Sequence, residues 1–383
     1  MSLRTIMRAV LVISCMTKMA QTRLFASAAQ AVPSRSDRIE GAYYGALVAD
    51  ALTLGSHYEY DAPKIKQAYA GEIQKYMGPG EQMGGETHGI GWGKRNYHPG
   101  AEAGDQTDYG EYNVLVLEHL AMQTDTVHKF DVQEFLPVWQ NRLQSWKQWV
   151  CTQTKQTYQQ VNQGTPVAEL GGFSNAMALR FASVFAYYDN EADCVDAARK
   201  TMFTHREQSA LEGGEFFAKV TYRLVHREGL TPAEAIDEVA AESSAWFQQK
   251  VQQAKDKVLE ATTGALSNEE FADDLALTSM ARLWDVGKTE PIKVGKASPT
   301  EGTLPGAIYF ILKYNDLVKA AKANAMVGGD NASRAIAVGM VLGAAHGVGC
   351  IPADLRDTLN HWEHSAAMLR TMPMLRASEE MRD

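Results

Sequence analysis

The stretch Met326–Pro352, MVGGDNASRAIAVGMVLGAAHGVGCIP, decides how this chain folds. Gly328 and Gly329 break whatever precedes them. Asp330 then stands where a helix N-cap belongs, because a carboxylate there accepts from the free N–H groups of the first turn. The helix it opens places Ala335, Gly339, Gly343 and Gly347 four residues apart, and residues four apart share a helix face. Such a face lets another backbone come close. Glycine costs about 1 kcal/mol per helical position relative to alanine, so a helix that repeats it is expected to be buried against a neighbour. The segment reads as a carboxylate held at the mouth of a tightly packed central helix.

The partner for that face is near the other end of the chain. RIEGAYYGALVADALTLG, residues 38–55, carries Gly41, Gly45 and Ala49 at the same spacing. Ser36 or Asp37 is expected to cap it. Asp50 lies among Ala, Val and Leu, where an acid is costly without partners. It reads either as a buried, hydrogen-bonded acid or as one close to a ligand. His57, Tyr58, Glu59 and Tyr60 follow on a loop.

Residues 77–104 are too rich in glycine for a helix or a long strand. Long loops in compact domains are often functional, and His88, Trp92, Arg95, Tyr97 and His98 are candidates to line a pocket for a ring and a phosphate. Asp105, after Gly104, opens the next helix. A polar helix or pair spans 132–163. Ser174 or Asn175 is expected to cap a helix whose free N–H groups suit an anion. Amphipathic helices follow near 191–202, 206–228, 232–247 and 250–263, and the helix EGTLPGAIYFILKY is apolar enough to be buried. Alternating Val/Ile runs are nearly absent. The expected architecture is all-α: one orthogonal bundle of roughly a dozen helices.

Composition narrows the function. Of 383 residues, 45% are hydrophobic and 22% charged, a normal globular balance, and the net charge of −9 argues against a general nucleic-acid binder. No apolar run is long enough to span a membrane. Cys15, Cys151, Cys194 and Cys350 show no metal spacing and read as buried free thiols. Residues 1–36 contain no Asp or Glu and carry five Arg or Lys. That composition reads as an organelle transit peptide, mitochondrial or plastid, with a secretory signal as the alternative. The folded domain is expected over 37–383.

In order, GAYYGALVADAL, GDQTDYGE, FSNAMALR, FTHRE, EGTLPGAIYFIL and the opening stretch resemble the ADP-ribosylglycohydrolase family, and its crystallin-like branch most. The resemblance runs from about Arg38 to Pro352. It implies a compact all-α fold and a cleft where acids from two helix starts bridge two magnesium ions. It also implies cleavage of a glycosidic bond to ADP-ribose.

The family's Ser/Thr-Asp-Asp-Thr motif falls on Gly104-Asp105-Gln106-Thr107, with Thr107-Asp108-Tyr109 as a shifted register. Its Asp-x-Asp-Thr motif falls on Asp330-Asn331-Ala332-Ser333. The family's early glutamate falls on Glu59. Ser174, Asn175 and Arg180 fall on its ligand-contacting region, and His88 is a further substrate-binding candidate. Asp105, Gln106, Asp330 and Ser333 are the candidate metal ligands, and Glu59, Asp105 and Asp330 the candidate catalytic groups. Gln106 and Ala332 stand where the family has acids. Two adjacent magnesium ions need several carboxylates, so one weak site or none is expected. The readings are therefore an ADP-ribosyl hydrolase acting on a small-molecule or ADP-ribosylated substrate, a non-catalytic binder of ADP-ribose, or a structural protein of the crystallin kind.

Overall fold

The computed structural model describes residues 32–379, apart from 91, 286, 288 and 289. Its helices are α1 (Arg35–Thr53), α2 (Ala62–Ala68), α3 (Asp108–Ala121), α4 (Val132–Gln144), α5 (Thr152–Asn162), α6 (Val184–Tyr187) and α7 (Glu191–Thr201). Then come α8 (Gln208–His226), α9 (Pro232–Ala241), α10 (Ala245–Thr262), α11 (Ala272–Ser279), α12 (Thr300–Tyr314), α13 (Leu317–Val327) and α14 (Asn331–His346). Three short helices end the chain: α15 (Ala353–Asp357), α16 (Trp362–Leu369) and α17 (Pro373–Glu379). The total of 17 exceeds the expected dozen because α2, α6 and α15–α17 are too short to show a helical period in sequence. Helices, short 3-10 turns included, account for 61% of the described residues, which makes the fold all-α. Two antiparallel ribbons, β1 (Thr87–Gly89) with β2 (Gly93–Arg95) and β3 (Leu283–Trp284) with β4 (Ile292–Lys293), are the only paired strands among the described residues.

The axis of the bundle is α1 against α14. A Cβ built on Gly339 would lie 2.0 Å from the Gly45 carbonyl oxygen, and one on Gly343 only 1.9 Å from that of Gly41. The reverse contacts are as close, 2.3 Å from Gly45 to Gly339 and 2.2 Å from Gly41 to Gly343. Only glycine fits at these four places. Every residue from Asn331 to Ala344 is buried, with α3, α8, α12 and α13 packed around the pair.

Two local expectations are corrected. Ser34, not Ser36 or Asp37, caps α1: its hydroxyl accepts from Asp37 N, and Asp37 Oδ2 accepts from Ser34 N, closing a capping box. Residues 33–36 therefore belong to the folded chain. Residues 1–31, which carry most of the targeting reading, lie outside the described residues.

The second correction concerns 173–182, which is irregular rather than helical. Met177 N donates to Ser298 O, and Thr300 N to Asn175 O. The Asn113 side chain donates to Leu179 O and accepts from Ala182 N. These partners replace the i→i−4 ladder and hold the segment against the start of α12. No described helix is long and apolar enough to cross a membrane.

Candidate active site

The opening of α14 is shaped by the glycines before it. Gly328 and Gly329 have φ of +71° and +72°, the left-handed region that favours glycine. A Cβ on Gly328 would lie 2.1 Å from Glu59 O, and one on Gly329 2.1 Å from Lys296 O. Backbone bonds fasten this turn: Tyr58 N to Gly329 O (2.8 Å), Gly329 N to Glu59 O (2.6 Å) and Asp330 N to Lys296 O (2.7 Å). Asp330 is thus delivered to one place by two glycines and two loops. It caps α14 and accepts from Ser333 N. Its Oδ2 accepts from Tyr109 OH at 3.1 Å, and its Oδ1 lies 3.2 Å from His57 Nε2.

Above Asp330 is a cavity of about 330 Å³, within the range of small-ligand sites. Tyr58 and Tyr97 both meet Trp149 edge to face and pack against each other at a tilt, with ring centroids 4.7 to 6.1 Å apart. Trp92 and Trp284 stand at the rim, 42% and 45% exposed. The opposite wall holds Ser174, Asn175 and Arg180. The Arg180 guanidinium sits 4.0 Å over the Tyr112 ring and donates to Thr204 Oγ1 (2.8 Å) and Thr154 Oγ1 (3.4 Å). Its hydrogen bonds go to hydroxyls and none to a carboxylate, although it is only 5% exposed. A buried cation without a bonded anion favours an anionic ligand.

Asp108 and Asp330 are the acids of the cavity. Asp108 is the first residue of α3, and Thr107 caps that helix by accepting from Tyr109 N. Asp50, on α1, fixes this cap: its carboxylate accepts from Thr107 N (2.8 Å) and Thr107 Oγ1 (2.7 Å). Burial pushes Asp50 up to about 7, with the Thr107 bonds opposing. Burial, then the charges of Asp330 and Asp50, hold Asp108 well above the usual carboxylate range. Its Oδ1 is buried and has no hydrogen-bond partner.

Behind these acids, His57 Nδ1 lies 2.8 Å from His98 Nε2, and His98 Nδ1 lies 3.1 Å from Gln148 Oε1. Burial, then His57, keeps His98 below its ordinary value. Cys151 caps α5 on the cavity wall, half-buried rather than buried, with its sulfur 3.6 Å from His205 Nε2. Cys15 lies outside the described residues.

Of the sequence candidates, Asp330, Ser174, Asn175 and Arg180 line the cavity. Five others do not. Asp105 accepts from Glu102 N and Asn360 Nδ2, which ties its turn to the segment before α16. The shifted register is the one the fold uses, with Asp108 facing the cavity. Gln106, with its amide turned to donate, reaches Asp50 Oδ2 (3.0 Å) and Leu47 O (3.1 Å). Ser333 donates to the carbonyl of Asp330 (2.8 Å). Glu59 is buried on the far side of its loop from Tyr58 and Tyr60, in an ion pair with Lys64. His88 points outward from β1. Of the further pocket candidates, Trp92 and Tyr97 line the cavity, while His98 stands behind it. Tyr109, His57 and Gln148 were not singled out in sequence as site residues, and no local pattern marks them.

Comparison with known proteins agrees with this fold. A family model described as ADP-ribosylglycohydrolase matches residues 31–381. A solved structure titled "ADP-ribosylglycohydrolase-related protein complex" superposes with a TM-score of 0.59 at 19% identity, covering 90% of this chain and 99% of that one. At that identity the likeness is one of fold. No curated protein matches. Because the family model spans nearly all of the sequence, the chain belongs to the ADP-ribosylglycohydrolase family.

Proposed function

We propose that the cavity binds an ADP-ribosyl group, or a related ribosyl nucleotide, and that the chain hydrolyses a glycosidic bond to it. One observation carries this reading: a buried, carboxylate-free arginine and a pair of acids share a cavity walled by aromatic rings. Aromatic faces stack bases. Arg180, with Ser174 and Asn175, suits a phosphate. Asp330, held by Tyr109 and His57, supplies fixed negative charge for an oxocarbenium-like transition state. Asp108, with one oxygen unengaged, is the group that handles the proton of water or leaving group.

The family's pair of magnesium ions does not fit these residues. Magnesium takes a near-octahedral shell of oxygens. Both Asp330 oxygens are engaged by Tyr109 and His57, the Ser333 hydroxyl by a carbonyl, and the Thr107 hydroxyl by Asp50. Only Asp108 offers a carboxylate oxygen without a partner there, so no step is derived through magnesium.

The acids missing at Tyr109, in the register that brings Asp108 to the cavity, and at Ala332 favour a second reading, binding of ADP-ribose without turnover. Release of ADP-ribose from an ADP-ribosylated peptide, alongside calorimetric titration with ADP-ribose, separates the two. Turnover supports hydrolysis, and saturable heat without turnover supports binding alone. Neither signal would sink both.

A further inference from the structure

We infer that His57, His98 and Asp108 form a site for one divalent transition-metal ion at the base of the cavity, bound by two imidazole nitrogens and one carboxylate oxygen. The ligand atoms of these three buried residues all lie within 4.8 Å of one another. The inference rests on that cluster and stands whether or not the cavity's ligand is an ADP-ribosyl group.

Hydrogen bonding around the two rings leads there. Each imidazole has one nitrogen turned away from the other ring, and each of those nitrogens faces an oxygen: Asp330 Oδ1 for His57, Gln148 Oε1 for His98. A carboxylate or amide oxygen accepts and does not donate. In neutral rings, the outward nitrogens therefore carry the protons, and both inward nitrogens present lone pairs. The ring planes are 18° from parallel with centroids 4.9 Å apart. That separation is close to the 2.8 Å contact plus two ring radii, so the rings meet nearly edge to edge, lone pair against lone pair. Asp108 brings a carboxylate oxygen to the cluster, and its Oδ1 has no hydrogen-bond partner. A cation among the three satisfies all of them at once.

The surroundings also match a metal site. Metal-bound histidines commonly donate their other N–H to a carboxylate or carbonyl oxygen, which fixes ring and tautomer. Here Asp330 and Gln148 hold those places, so Asp330 is an orienting group rather than a ligand. Two imidazoles and a carboxylate suit zinc-like ions and not magnesium. Metal–nitrogen bonds of about 2.0–2.1 Å at a tetrahedral angle place the nitrogens roughly 3.3 Å apart. The rings must separate by about half an ångström to reach this. Asp108 lines the cavity, so an open coordination position would be reached from the ligand side.

The test uses the full chain, stripped with chelator and then titrated with Co²⁺ by visible absorption and with Zn²⁺ by calorimetry. Mg²⁺ serves as the control. One equivalent of Co²⁺ should bind, displaced by Zn²⁺ and not by Mg²⁺. His98→Gln should weaken binding at least tenfold, as should Asp108→Asn, which preserves size if the histidine variant fails to fold. Absence of saturable Co²⁺ and Zn²⁺ binding by folded parent protein overturns the inference. It would mean that Gln148 is turned and a single proton joins the rings. Unchanged affinity in both variants, with the fold intact by circular dichroism, overturns it equally. Titration with ADP-ribose under chelator reads the proposed function separately.

Discussion

The α1–α14 seam and the base of the cavity meet at Asp330 and are built on opposite rules. At the four glycines of the seam there are no side chains, and α-carbons face carbonyl oxygens. Shape alone decides which residue fits. At the cavity base, almost every atom is a donor, an acceptor or a charge, and size matters less than whether each has a partner. The difference teaches where tolerance lies. The seam should reject any added volume whatever its chemistry, while the cavity base should keep its shape when a charge is removed and lose its chemistry instead.

Gly339→Leu is the harshest test of that contrast. Overpacking costs about 1–3 kcal/mol where side chains can shift, but here the obstacle is a backbone 2.0 Å from the new Cβ. Loss of the cooperative thermal melt is expected, and an unchanged melting temperature would show that the helices are not in contact there.

Asp50 sits on the seam helix yet bonds to the cap beside Asp108, so it tests where one regime ends. Its carboxyl is pushed up to about 7 from 3.8. Between those values the folded chain keeps the proton and the unfolded chain releases it. This contribution to stability is therefore full below 3.8 and is lost as pH rises to about 7. The change is on the order of 4 kcal/mol. Buried histidines held below their ordinary value (His98, His205, His226) act in the opposite sense over this window, so the test is the difference: in denaturant melts, the stability of Asp50→Asn relative to the parent should rise with pH across it. Asp108, raised in the same direction as Asp50, contributes in the same sense.

Asp108→Asn removes an acid from the cavity without adding volume. Turnover should fall about a hundredfold or more, while the melting temperature holds or rises, because a buried acid beside Asp330 is neutralised. A collapse of the melt with no separate effect on rate would make Asp108 a packing residue. The smallest effect expected is that of Arg180→Met, about tenfold weaker ADP-ribose binding by calorimetry. Equal affinity in parent and variant would remove the anion contact from the proposal.

What could be read in the sequence follows the same division. The seam is local: four-residue spacing of Gly and Ala shows in one helix at a time, and the two stripes found each other as expected. Asp330 was legible because two glycines isolate it. Asp105 and Asp108 are three residues apart, and the choice between them is made by Asp50 accepting from Thr107, 57 residues away in sequence. Nothing local to GDQTDYGE reveals that contact. Glu59 was misplaced for a related reason, since the face of an irregular loop has no period to read. Ser174 to Arg180 were placed at the site but in the wrong conformation, because Asn113 and Ser298 satisfy a backbone that its own sequence would coil. The His57–His98 contact joins residues 41 apart and leaves no sequence pattern at all.

The glycine seam also sets a clock. With α1 and α14 in backbone contact and α14 buried from Asn331 to Ala344, deuterium from solvent reaches the amides of Val338–Gly343 only when the two helices part. Amides of that kind exchange at the pace of complete unfolding. The outward-facing strand Gly93–Arg95, near the rim, exchanges through local opening. Followed by mass spectrometry, exchange should spread inward from the rim and arrive last on the helix that begins at Asp330. The cavity acid Asp330 is thus expected on the slowest-exchanging part of the chain, and the aromatic rim of the cavity on the fastest.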